Sequence, residues 1–375
     1  MVKILHTGDL HLDSPFSGLT LAASERARDA LCETFKKMMD YAKENAFDMV
    51  LISGDLFDGK YITQKTKKTV VDTLGALECP VIIAPGNHDP YSAISLYRSG
   101  ELPENVYVFS SDEMQVFHFD ELGVSVCGYA FIYDRLDTSP LLRFTPPATN
   151  NALILCAHAD TASPISRYAP TSPKNIELCG FSYAALGHIH NAPEIECSET
   201  LIRYCGFPMG RSFDEIGFGG ALEVTIDDAG KASAEKIIFS DHRFLEETLD
   251  VSGAESSYDI VSKIINFINE KGYGEETSLR ITLCGTVSLD CVVEEVRISE
   301  IPSSLSLLKV KNNTLPLPDP RFLEDDITLR GELYRTLLPK LNSENPSVKR
   351  QAAEALRLGL FAIEKRNISD IITTD

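Results

Sequence analysis

The chain has 375 residues, enough for two or three domains, and 43% of them are apolar, enough to bury real cores. A formal charge of −20 and a pI near 4.8 exclude a surface that holds nucleic acid by electrostatics alone, so a polyanionic substrate would need metal cations or a basic partner. Nine scattered cysteines without a C-x-x-C pair fit neither a disulfide framework nor a zinc ribbon, and no apolar run is long enough to span a bilayer; the expected location is the cytoplasm, with no membrane contact.

From the N-terminus the pattern alternates. "VKILHT" reads as a strand, yet it ends in "HTGDLHLDSPF", where Asp9, His11 and Asp13 stand in place of the usual Gly, Asn or Pro of a turn. The next segment, "LAASERARDALCETFKKMMDYAKENAFD", carries Leu31, Phe35, Met38, Met39 and Ala42 at helical spacing. A strand "MVLISGD", a helix "TQKTKKTVVDTLGALE" and a strand "CPVIIAPGNHD" follow. Strand, helix, strand, helix, strand implies parallel pairing with both faces covered.

Shorter strands come next: "YVFS", "MQVFHF", "VSVCGYAF", "NALILCAHAD", "SYAALGHIH", "IRYCGFP" and "GGALEVTI". Their close spacing suits antiparallel additions or a second sheet stacked on the first, giving a two-sheet α/β sandwich over residues 1–241. After "SDHRFLEE" a helical "SYDIVSKIINFINEKG" and strands "SLRITLCG" and "CVVEEVRI" suggest a small α+β unit over 242–315. The prolines of "TLPLPDPRF" make a stiff connector, and "ITLRGELYRTLLPKL" and "PSVKRQAAEALRLGLFAIEKRN" read as amphipathic helices of a C-terminal segment, 316–375.

The strand ends share a chemistry. Strand one ends in Asp9 and His11, "MVLISGD" in Asp55, "VIIAPGNHD" in Asn87, His88 and Asp89, "LILCAH" in His158, and "YAALGHIH" in His188 and His190. In an α/β sheet the carboxyl ends of the strands open onto one crevice where ligands bind. One such residue alone would be a turn cap or a solvated histidine, but five strands delivering nitrogen and oxygen to one rim point to metal. Imidazole with carboxylate and amide oxygen suits borderline divalent ions, Mn²⁺ first and Fe²⁺ or Zn²⁺ beside it. Asp9, His11, Asp55, Asn87, His158, His188 and His190 are too many ligands for one ion; two divalent ions sharing a bridging carboxylate fit. Such a pair can activate a bound water and neutralise anionic oxygens. Gly54 and Gly86 have a mechanical reading, close passage of backbone past ligands, beside the plainer one of turn glycines.

Taken in order, Asp9-Leu10-His11, Gly54-Asp55, Gly86-Asn87-His88-Asp89, His158 and Gly187-His188-Ile189-His190 resemble the calcineurin-like metallophosphoesterases over about the first 190 residues. The resemblance implies an α/β/β/α sandwich in which Asp9, His11 and His190 hold one metal, Asn87, His158 and His188 the other, and Asp55 bridges. His88 would stabilise the transition state or protonate the leaving oxygen, with Asp89 fixing its tautomer.

Outside these boxes, "DLHLDSPFSGL" and "GFPMGRSFDEIGFGGALEVTI", with Gly206, Pro208, Arg211 and Ser212, resemble the SbcD-type DNA repair nucleases, in a branch similar to Bacillus-type YhaO proteins. That resemblance implies a metal-dependent nuclease acting on DNA, a small capping domain, and terminal helices that dock on an SbcC-like coiled-coil ATPase; packing within the chain is the alternative for those helices, and a homodimer is left open. Residues 1–241 hold 19 basic and 33 acidic side chains, a net of −14. A small-molecule or cyclic-nucleotide phosphodiesterase or nucleotidase is therefore the alternative function, and a non-catalytic scaffold on the same fold the second alternative. Lys60 to Lys68 could meet phosphates or simply solvate a helix start, and Arg211 is a substrate contact or half of a buried ion pair.

Overall fold

The computed structural model describes residues 1–16, 21–59, 61–191, 194–195, 197–288, 291–301, 303–316 and 323–363. It divides into two compact units, Met1–Arg243 and Phe244–Asp375.

The first unit is a sandwich of two sheets. Strands β1 (Val2–Thr7), β2 (Met49–Ile52), β3 (Val81–Ile83) and β4 (Val106–Val108) run parallel, with helices α1 (Leu21–Glu44) and α2 (Gln64–Gly75) as crossovers. In the second sheet β5 (Gln115–Phe119) is antiparallel to β6 (Val124–Gly128). Then β6, β7 (Ala152–His158), β8 (Tyr183–Gly187) and β9 (Leu201–Tyr204) are parallel, with the short helix α3 (Pro173–Leu178) between β7 and β8. Strand β10 (Gly217–Ile226) returns to pair antiparallel with β1. The later strands thus form a second sheet that is mostly parallel: only β5 runs antiparallel, and the stretches 129–151 and 159–182 are long enough to carry the chain back for parallel pairing.

Period-2 alternation explains the layering. Val50 and Ile52 of β2 join a core with Phe35, Met38, Val70 and Leu74 of the helices, whereas Met49 and Leu51 face the second sheet beside Val126, Ile154 and Tyr183. On β7, Ile154 and Cys156 belong to that central layer, and Leu155 and Ala157 pack outward with Ile176 and Phe181. The central strands β1, β2, β3, β6, β7 and β8 are buried on both faces, which is why they read as near-continuous apolar runs. The nine cysteines are unpaired.

Strand β11 (Ala232–Asp250) follows β10 and runs through the boundary at residue 243. In the second unit, the helix Ser257–Lys271 opens on a capping box between Ser256 and Asp259 and closes on the left-handed Gly272. Its Ile260, Ile264 and Ile268 pack with Leu279, Ile281 and Leu283 of the strand Thr277–Cys284, which pairs in parallel with Leu307–Asn312. Two further helices, Leu329–Leu341 and Pro346–Ile363, pack together through Tyr334, Leu341, Ala353, Leu356 and Leu360. Residues 317–322 of the proline-rich connector, and the chain beyond 363, lie outside the described residues. Among those described, no helix is long and apolar enough to cross a membrane.

Candidate metal centre

The exits of β1 and β2 stay fastened after the strands end. The N–H groups of Asp9, His11 and Leu12 donate to the carbonyls of Gly54, Asp55 and Leu56, each at 2.9 Å. Asp9, His11 and Asp55 have φ of 49°, 48° and 50°, and His188 has 103°, all in the left-handed region. Such backbone costs of order 1–3 kcal/mol per residue and persists where the surroundings over-determine it. Here the interlocked loops do so, together with the His188 N–H, which donates to both Asp9 oxygens at 3.1 and 3.0 Å. At Gly54 a Cβ would lie 2.3 Å from His158 Nδ1, and at Gly86 2.2 Å from Asp55 Oδ1; both glycines exist for this close passage.

The imidazoles are oriented from outside. His11 Nδ1 bonds Asp58 at 3.2 Å, His190 Nδ1 bonds Glu215 at 2.8 Å, and His158 Nδ1 bonds the Ser53 carbonyl at 3.1 Å. These partners assign the hydrogen to Nδ1 and turn Nε2 inward. There, His11 Nε2 lies 3.4 Å from His190 Nε2, and His158 Nε2 lies 2.9 Å from Asn87 Oδ1. Asp55 uses Oδ1 to accept the His88 N–H, while its Oδ2 sits 3.7 Å from His11 Nε2 and 3.4 Å from His158 Nε2. Asp9 Oδ1 is 3.7 Å from His190 Nε2, and the His188 ring is 5.1 Å from that of His158. All seven expected ligands meet in one cluster, with Asp55 between its two halves.

This donor set demands positive charge at its centre. Asp9, Asp55 and His158 are almost wholly buried, and burial with Asp9 nearby pushes the Asp55 carboxyl up to about 6. Burial opposes protonation of His190, yet its bonds to Asp9 and Glu215 push it up to about 10. Divalent cations answer the same need. Asp9, His11 and His190 form one group, and Asp9, Asp55 and His158 another, with ligand atoms within 4.8 Å of each other. The residues present therefore fit a dinuclear divalent site.

His88 stands beside this cluster, its ring 4.7 Å from that of His11. Its expected pairing with Asp89 is not what the structure contains: His88 Nδ1 bonds Asp58 at 2.9 Å. Asp89 is turned inward, accepting the Gly86 and Phe57 N–H groups at 2.8 and 3.1 Å and the Tyr97 hydroxyl at 2.5 Å. Burial, then neighbouring Asp55, push Asp89 up to about 7. The tight turn from Gly86 to Asp89 brings that carboxylate back onto its own backbone, leaving His88 to a different acid. Asp58 opposes burial with two histidine bonds that hold it below the usual carboxylate range.

Arg211 is committed to Glu215, with Nη2 at 2.5 Å and Nε at 3.0 Å. Glu215 thus ties Arg211 to the metal-ligand candidate His190. Lys65, Lys67 and Lys68 pair with Asp29, Glu101 and Asp72, which favours the solvated-helix reading of that stretch; Lys60 lies outside the described residues. Sequence reasoning missed Asp58 and Glu215. Asp58 carried a signal, an acid three residues past the Asp55 box, but Glu215 had only its i+4 spacing from Arg211.

A profile of the calcineurin-like phosphoesterase family matches residues 2–192. The chain is 26% identical over 299 residues to "Uncharacterized metallophosphoesterase YhaO" of Bacillus subtilis, covering 76% of this chain and 72% of that one. It is 28% identical to "DNA double-strand break repair protein Mre11" of Aeropyrum pernix, covering 70% and 67%. To the SbcD component of the SbcCD nuclease of Bacillus subtilis it is 23% identical, covering 68% and 74%.

Proposed function

The chain belongs to the calcineurin-like phosphoesterase family, and from that premise we propose that it is a divalent-metal-dependent nuclease of DNA repair that works with an SbcC-like coiled-coil ATPase. The observation that carries the reading is the inward convergence of imidazole nitrogens and carboxylate oxygens from the strand ends, with His11, His190 and His158 steered from behind by Asp58, Glu215 and the Ser53 carbonyl. Similarity to a double-strand break repair protein and to a nuclease component supports the choice of DNA.

Asp9, His11 and His190 would hold one ion, Asn87, His158 and His188 the other, and Asp55 would serve both. Two divalent ions, Mn²⁺ by preference, supply an activated water and neutralise phosphoryl charge when bound there. His88 donates a proton to the leaving oxygen, and Asp58 fixes its tautomer and supports its charge; burial opposes that charge, but the Asp58 bond leads in raising the His88 pKa. Asp89 acts through the Gly86–Asp89 turn. Arg211, steadied by Glu215, contacts the phosphoryl group through its remaining nitrogen. The region 242–315 serves as a cap, and the segment 316–375, through its helices Leu329–Leu341 and Pro346–Ile363, docks the ATPase in the cytoplasm.

The test is incubation of the purified chain with Mn²⁺ and linear DNA, alongside Asp55→Ala and His88→Ala. Metal-dependent cleavage lost in both variants is expected; no cleavage with or without the partner ATPase refutes the nuclease. The net charge of −14 over residues 1–241 favours one alternative, a small-molecule phosphodiesterase. Turnover of bis-p-nitrophenyl phosphate with DNA left intact would select it.

A further inference from the structure

Resting on the nuclease reading, we propose that the loops after β6 and β7 form a track for an unpaired polynucleotide strand. Arg135 and Arg167 meet phosphates beside the scissile one, and Tyr133 stacks on a base. The two loops are fastened to each other. Leu136 N–H donates to the Arg167 carbonyl and Ala169 N–H to the Leu136 carbonyl, both at 2.8 Å, as a parallel bridge between Leu136 and Tyr168. They are also seated on the metal centre: Tyr168 packs against His188 at 4.6 Å between ring centroids, and Phe131 sets its ring edge-on to His158 at 5.7 Å. Arg135 and Arg167 each precede a residue of this bridge, and both are exposed.

Charge gives the reason for these two residues. Ions at the centre neutralise one phosphate, but its neighbours along a strand keep their charge and face a unit with a net of −14. Among the described residues, the cations that the sequence singled out for phosphate are already committed: Arg211 to Glu215, and Lys65, Lys67 and Lys68 to carboxylates. Among the described residues no carboxylate lies within ion-pair distance of Arg135 or Arg167. Asp134 and Asp137 flank Arg135 in sequence without closing on it, and Asp160 spends its Oδ1 on the N–H groups of Ala162 and Ser163 at 2.7 and 3.2 Å. Guanidinium is the cation best shaped for phosphate. Tyr133, 72% exposed two residues before Arg135, adds an open aromatic face of the kind on which unpaired bases stack.

The experiment is steady-state cleavage of a labelled oligothymidylate by the full chain in Mn²⁺, repeated between about 50 and 200 mM salt. Loss of two phosphate contacts in Arg135→Gln/Arg167→Gln should reduce the slope of log(kcat/KM) against log salt by about 1.4. KM should rise more than kcat falls. Lysine at both positions should restore the slope. Lys231→Gln is the control, since its turn lies at the far end of β1, beside the Met1–Asp228 pair; its slope should match that of the unaltered chain. Tyr133→Ala should raise KM about fivefold or more, the low end for one lost base stack, and Tyr133→Phe should not. A DNA-cleaving enzyme whose slope and KM ignore all these changes overturns the track and leaves the nuclease standing. A chain that hydrolyses bis-p-nitrophenyl phosphate but no polynucleotide overturns both.

Discussion

Glu215→Ala removes an acid that faces two bases at once. Glu215 and Arg211 have side chains only 3% and 17% exposed, and the carboxylate accepts Arg211 N, Nε and Nη2 as well as the His190 ring. Removing one partner of such a buried pair costs about 3–5 kcal/mol, because the guanidinium is left buried without its counter-charge. For a unit of this size each kcal/mol moves a melting midpoint by about 2–4 °C, so a fall of roughly 6–20 °C is expected. His190 also loses the bond that orients it, and loss of such a support typically weakens metal binding about 10–100-fold. Calorimetric melting and Mn²⁺ titration measure the two effects separately. Arg211→Ala/Glu215→Ala completes a cycle: with both partners gone the double variant should be less destabilised than the summed singles, by about 0.5–3 kcal/mol. Strict additivity, together with unchanged Mn²⁺ affinity in Glu215→Ala, would refute the claim that this carboxylate couples the arginine to the ligand.

Other outcomes follow from the same geometry. Asp58→Asn removes the shared acceptor of His11 and His88, and kcat on a chromogenic phosphodiester should fall about 10–100-fold; full activity would return His88 to some other partner. Gly86→Ala drives a Cβ to 2.2 Å from Asp55 Oδ1, so calorimetry should register about 1–3 kcal/mol of destabilisation and Mn²⁺ binding should weaken; an unchanged protein would mean the turn yields freely. Tyr97→Phe removes the hydroxyl bonded to buried Asp89 and should cost about 1–3 kcal/mol in urea unfolding. Adding Mn²⁺ at a hundred times its dissociation constant should stabilise the first unit by about 2.7 kcal/mol, reversibly by chelation. A midpoint indifferent to metal would contradict a site built into the fold.

The chain's own pattern determined the alternation of strands and helices, the sandwich, and the polar boxes closing five apolar runs. Each of these is local: a strand buried on both faces must be apolar throughout, so a carboxylate or imidazole at its end stands out. What only the tertiary structure decided is which acid supports which base. His88 turns to Asp58 instead of Asp89, and Arg211 and His190 share Glu215. Lys65 and Lys67 find Asp29 and Glu101 from distant segments. Arg135 and Arg167 are brought together by a two-residue bridge. Such pairings depend on side-chain directions a few ångströms apart after the backbone has closed, and charges carry no periodicity by which spacing could foretell their partners.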